Sequence, residues 1–198
     1  MALLLAPDDT GIAQAAELLR AGALVAFPTD TVYGIGCRVG DEAALARLLE
    51  AKRRPAEKRV PILVASLGEA ANLGFDAGRA RSAADRFWPG GLTLVLGDTT
   101  RNQAFRAPDH PVALALIGAA GPLATSSANR SGEPETYEAN DVLIAFADTD
   151  LLDAVIDGGR VPGGVASSVL DLSVDPPRLV REGAISRAEL EGAIGTLD

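Results

Sequence analysis

Ala23-Leu24-Val25-Ala26-Phe27-Pro28-Thr29-Asp30-Thr31-Val32-Tyr33-Gly34-Ile35-Gly36 is the stretch on which the reading of the fold turns. Its first five residues form a continuous apolar run, the pattern of a strand buried on both faces. Pro28 closes the run. A polar loop is predicted from there, carrying two threonine hydroxyls, a carboxylate, a phenol and two glycines. A strand ending in such a loop is where α/β proteins place ligands.

Working outward, helices and strands alternate. Ile12, Ala15, Ala16, Leu18 and Leu19 recur at helical spacing over residues 9–21, and Gly22 is a C-terminal stop. Asp41 caps a second predicted helix, which carries Leu45, Leu48 and Leu49 on one face and must end at Pro55. A strand is predicted at 61–65 and a short helix after the Ser66/Glu69 capping box. Further helices are expected at 78–88, 110–117 and 138–147, and strands at 92–96, 153–156, 167–172 and 178–181. Leu123 to Ser126 leads into a small polar turn. Ser186 with Glu189 caps the last helix. This mixture predicts an α/β or α+β fold, a single domain over 6–193 with a twisted, mixed parallel/antiparallel sheet flanked by helices and a concave ligand cleft.

The chain has 198 residues, 47% of them hydrophobic, and a net charge of −9. Its overall field repels nucleic acid. Lys52, Arg53, Arg54, Lys58 and Arg59 nevertheless fall within eight residues, which suggests a local anion site. One cysteine, Cys37, excludes an internal disulfide, and one histidine, His110, leaves little for a zinc site. No apolar run approaches the ~20 residues that span a bilayer. The N-terminus lacks a basic leader, so no membrane association and a cytoplasmic location are expected.

Three segments bear chemistry. Lys52 and Arg54 stand at a helix end whose dipole favours cations, so a solvated helix end is the ordinary reading. With Pro55 stopping the helix, the two are expected to project from a rigid turn, where ammonium and guanidinium suit a triphosphate. Thr125-Ser126-Ser127-Ala128-Asn129 is ordinarily a plain turn; alternatively its backbone N–H groups cradle an anion. The glycine runs Asp157-Gly158-Gly159 and Pro162-Gly163-Gly164 make turns or bracket a mobile loop. Tyr33 and Trp88 fit core or site lining equally. Gly34-Ile35-Gly36 is not a dinucleotide fingerprint, and no phosphate-binding P-loop sequence occurs.

The order of these segments resembles the YrdC-like family, whose best-defined members are threonylcarbamoyl-AMP synthases. The matching pieces are Phe27 to Gly34, Lys52-Arg53-Arg54-Pro55, Phe87-Trp88-Pro89-Gly90, Arg106-Ala107-Pro108, Ser127-Ala128-Asn129-Arg130-Ser131-Gly132, Ser167-Ser168-Val169 and Arg181-Glu182-Gly183. The paired family signature, Lys-x-Arg with Ser-x-Asn, stands as Lys52/Arg54 and Ser127/Asn129. Members usually carry threonine where Ser168 stands and proline where Gly91 stands. The resemblance points to the short type without an extra C-terminal domain.

The resemblance implies synthesis of threonylcarbamoyl-AMP and pyrophosphate from L-threonine, bicarbonate or CO2, and ATP. It implies Lys52 and Arg54 as catalytic residues. ATP would be bound by these two with Lys58, Ser127, Asn129 and Arg181. Threonine would be held by Thr31, Tyr33, Arg106, Ser126, Ser127 and Ser167. Mg²⁺ would come with ATP, with no metal ligand from protein side chains. The implied partners are the proteins that pass the threonylcarbamoyl group to tRNA, with weak contact to tRNA itself. An RNA-binding or ribosome-maturation module and a paralogue handling another carbamoyl adenylate are the alternatives.

Overall fold

The computed structural model describes residues 2–53 and 60–198. They fall into two compact units, Met1–Val60 with His110–Gly164, and Pro61–Asp109 with Val165–Asp198.

The first unit is organised by strands β1 (Leu3–Leu5), β2 (Val25–Pro28), β3 (Tyr33–Arg38), β7 (Leu123–Ser127) and β8 (Ala154–Ile156) and by helices α1 (Asp9–Arg20), α2 (Glu42–Ala51), α5 (Pro111–Ala120) and α6 (Ala139–Ala145). The strand order is β1-β8-β2-β3-β7. β8 runs parallel to β1 and β2, whereas β2–β3 and β3–β7 are antiparallel. Alternate residues of the sheet point to one face, so Leu24, Ala26, Tyr33, Ile35 and Cys37 pack with Leu48 of α2, Val142 of α6 and Phe146 just after it. α1 and α5 pack against one another and against the sheet, and they bury Ile12, Ala15, Ala16 and Leu19 of α1 and Leu116 and Ile117 of α5. Asp8 and Asp41 accept hydrogen bonds from the Gly11 and Ala44 N–H groups, capping α1 and α2.

The second unit contains β4 (Ile62–Leu63), β5 (Leu92–Gly97), β6 (Asn102–Arg106), β9 (Ser168–Asp171) and β10 (Arg178–Arg181), with α3 (Leu67–Asn72), α4 (Arg81–Phe87) and α7 (Arg187–Ile194). Its order is β4-β6-β5-β9-β10. β4–β6 and β5–β9 are parallel; β5–β6 and β9–β10 are antiparallel. Leu92, Leu94, Leu96, Phe105 and Leu170 are buried at its centre, and Phe75 meets Phe105 edge to face at 5.1 Å. The Ser186/Glu189 capping box forms as expected. At α3 it does not: Ser66 makes no side-chain cap, and Glu69 reaches past it to the Ala65 N–H.

The mixed pairing flanked by helices agrees with the α/β expectation. The predicted polar loop after Phe27 does not survive in that form. Only Thr29 to Val32 turn; Tyr33, Gly34, Ile35 and Gly36 continue as β3, a second buried strand. Its glycines are there for packing. A Cβ on Gly34 would lie 2.9 Å from Thr125 Cγ2, and one on Gly36 would lie 2.8 Å from Thr125 Oγ1. The branched Thr125 on β7 occupies the space those side chains would need.

Candidate active site

The hairpin turn is closed by one side chain. Thr29 Oγ1 donates to the Val32 carbonyl at 2.6 Å and accepts from the Thr31 N–H. Thr31, a predicted threonine contact, is therefore held half-buried on a fixed turn. Tyr33 is fully enclosed, and its hydroxyl donates to the Gly159 carbonyl at 2.7 Å while accepting from the Gly158 N–H at 3.1 Å. Burial pushes the phenol up to about 12 despite that N–H bond. Tyr33 is thus a strut from the hairpin to the glycine loop at 157–159, a role the sequence did not reveal.

Lys52 caps the C-terminus of α2. The sequence predicted a side chain projecting from a turn; instead Lys52 is only 3% exposed. Its ammonium donates to the backbone carbonyls of Ser127 and Asn129. Ser127 Oγ donates to Asn129 Oδ1 at 2.6 Å, and Asn129 Nδ2 donates to the Glu133 carbonyl at 2.6 Å. The two halves of the signature, far apart in sequence, are therefore bonded to one another. Ser126 and Ser127 end β7 opposite Ile35 and Gly34. The expected cradle of open N–H groups is partly consumed, because the Ala128 N–H donates to the Tyr33 carbonyl at 2.7 Å and the Ser131 N–H to the Lys52 carbonyl at 3.0 Å. Folding satisfied these donors first, as buried backbone requires. Arg54 and Lys58 lie outside the described residues.

The remaining predicted residues belong to the second unit. Arg106, at the end of β6, donates through Nε to the Gly90 carbonyl at 2.9 Å. Ser167 is buried, and its hydroxyl meets Thr93 Oγ1 at 2.9 Å. The Arg181 guanidinium grips the Ser167 carbonyl through Nε at 3.0 Å and Nη2 at 2.7 Å. Gly183 is required by close approach: a Cβ there would meet the Ala166 carbonyl oxygen at 2.1 Å. The Ser168 hydroxyl accepts from the Gly183 and Ile185 N–H groups at 2.8 and 3.0 Å. The structure thus joins Lys52 to Ser127 and Asn129, and Arg181 to Ser167.

Two residues escaped sequence reasoning. Arg130, read only as part of a motif, is 8% exposed and donates to the Ala51 and Ala145 carbonyls and to Asp148. Asp148 also accepts from Arg53 at 2.7 Å. An arginine directly after Asn129, inside the Ser127 to Gly132 piece, was the available signal. Cys37 is buried between sheet and helix, and burial pushes its thiol up to about 12, which leaves it inert. No helix among the described residues is long and apolar enough to cross a membrane.

A model for a family of Sua5, YciO and YrdC proteins, described as telomere recombination, matches residues 17–183. The threonylcarbamoyl-AMP synthase of Bacillus subtilis is 39% identical over 98% of this chain and 59% of its own length. The threonylcarbamoyl-AMP synthase of Chromohalobacter salexigens is 39% identical over 78% of this chain and 90% of its own. The structure of Pyrococcus abyssi Sua5 complexed with L-threonine superposes with a TM-score of 0.86 at 37% identity, covering 100% of this chain and 62% of that one. The chain therefore spans about three fifths of the Bacillus protein and of the Sua5 structure it resembles. With the fold and the coupling of Lys52 to Ser127 and Asn129, these matches settle kinship: the chain belongs to the Sua5/YciO/YrdC family.

Proposed function

We propose that the protein is a threonylcarbamoyl-AMP synthase, a nucleotidyltransferase acting on L-threonine, bicarbonate or CO2, and ATP. The observation that carries this reading is the bonding of Lys52 to the Ser127–Asn129 segment in a chain whose relatives bear that activity in their names. The threonine amine forms an N–C bond to CO2 and loses a proton, or to bicarbonate with loss of water, to give a carbamate. A carbamate oxygen then attacks the α-phosphorus of ATP, the bond to the β-phosphate oxygen breaks, and pyrophosphate leaves. The attacking group belongs to the substrate, so the protein need supply only position and positive charge.

Lys52 holds the Ser127 and Asn129 segment in place for the nucleotide. Arg54, Lys58 and Arg181 supply cationic charge to the triphosphate. In the first unit, Thr31, Ser126 and Ser127 are assigned to threonine, and Tyr33 acts from behind by bracing the glycine loop; in the second, Ser167 is assigned to threonine and Arg106 to its carboxylate. Mg²⁺ belongs to the substrate, carried on the triphosphate. The product passes to proteins that transfer the group to tRNA, with weak tRNA contact and a cytoplasmic setting part of the same reading.

The test is pyrophosphate release from ATP, with threonine and bicarbonate omitted in turn. Release should require both. Release indifferent to threonine would overturn the proposal. Arg54→Ala should abolish turnover in a protein that still folds.

A further inference from the structure

Lys52 is placed by bonds that run in both directions between the end of α2 and the turn after β7. From the helix end, the Lys52 ammonium reaches the Ser127 and Asn129 carbonyls. From the turn, the Ser131 N–H returns to the Lys52 carbonyl, and Arg130 Nη1 returns to the Ala51 carbonyl. Ala51 closes α2, and its carbonyl is among those a helix leaves without an internal donor. The last turn of α2 carries no basic residue; beside the C-cap Lys52, whose ammonium turns to the Ser127 and Asn129 carbonyls, Arg130 brings a second cation to this helix end from another part of the chain.

Arg130 is itself held on three sides. Its Nε donates to the Ala145 carbonyl at 3.2 Å, its Cζ lies 4.8 Å from the Phe146 ring centroid, and its Nη2 meets Asp148 Oδ1. The other Asp148 oxygen binds Arg53, the residue after Lys52, whose backbone sits in the left-handed region at φ 51°. One carboxylate thus ties both guanidiniums flanking the lysine segment and offsets part of the positive charge concentrated there.

We propose that Arg130 and Asp148 are positioning residues: a clamp that sets the Lys52 ammonium against the Ser127–Asn129 segment. Its catalytic meaning rests on the synthase reading, whereas its placement of Lys52 does not. The two are separable because Lys52 and Lys58 are the only lysines of the chain, so acylation of Lys52 by a water-soluble amine reagent is readable by peptide mass spectrometry with Lys58 in the same sample.

Asp148 is half-exposed, so its replacement leaves the core intact. Asp148→Ala should raise the acylation rate of Lys52 about tenfold or more, as expected when a buried group opens locally more often. It should lower kcat for threonine-dependent pyrophosphate release about tenfold or more with a smaller change in KM for ATP, since a small misplacement near the chemistry acts on kcat. Asp148→Glu should recover part of both, and Arg130→Lys, which cannot form the same fork, should behave like Asp148→Ala. Unchanged Lys52 acylation in folded Asp148→Ala protein would overturn the clamp. Raised acylation with unchanged kcat and KM would overturn its catalytic role. Wild-type protein without threonine-dependent turnover would sink the synthase reading, and the acylation rates would still decide the clamp.

Discussion

Replacing Lys52 by methionine keeps a linear side chain of similar volume and removes the ammonium. Lys52 is 3% exposed, and its ammonium donates to the carbonyls of Ser127 and Asn129. Each carbonyl left buried without this donor costs about 1–3 kcal/mol. Releasing a buried charge from its desolvation offsets part of that loss. The net is about 3 kcal/mol of lost stability, because two backbone acceptors lose their donor for one charge released. For a chain of this size that corresponds to a fall in Tm of about 6–12 °C. Lys52→Arg should not restore it, because a planar fork cannot replace a compact ammonium between two converging carbonyls. Differential scanning calorimetry on the three proteins measures this directly. A methionine variant melting within about 2 °C of wild type would mean that Lys52 does not bind the turn.

Gly36→Ala should destabilise by about 1–3 kcal/mol, and Gly36→Ala with Thr125→Ala should recover part of it, because the clash is with Thr125 Oγ1 at 2.8 Å; additive losses in chemical denaturation would contradict this origin. Cys37 should resist thiol reagents in the folded protein and react at the rate of unfolding, since burial keeps its thiol protonated; stoichiometric labelling of native protein would contradict that. Asp148 is held below the usual carboxylate range, first by the Arg130 hydrogen bond and further by the charges of Arg130 and Arg53. A group with a depressed folded pKa stabilises above its unfolded value and loses that contribution as pH falls through the folded one. The Tm difference between wild type and Asp148→Asn should therefore be complete at about pH 6 and shrink below about pH 4, near the ordinary aspartate value, and a difference constant down to about pH 2 would be inconsistent with it.

The helices were legible where a stripe and a cap coincide. Asp41 and the Leu48 face announced α2, and Ser186 with Glu189 announced α7, because both signals are local. β3 was not legible, since glycines at 34 and 36 suppress strand propensity and only the distant Thr125 explains them. β6 escaped for a related reason: Asn102, Gln103 and Arg106 are polar, and Phe105 alone is buried. The candidate residues were legible as a set through their family order, yet their roles were not. Nothing in sequence shows that Lys52 turns inward to carbonyls 75 and 77 residues away, or that Arg130 crosses back to Ala51. Such bonds depend on which strand ends the topology brings beside α2.

Supplying the protein with ATP, L-threonine and carbon-13-labelled bicarbonate, and weighing the adenylate formed, tests the proposed reaction most directly. The expected product is threonylcarbamoyl-AMP carrying the heavy carbon, formed in step with pyrophosphate. ADP with inorganic phosphate, or an adenylate without the heavy carbon, would contradict it.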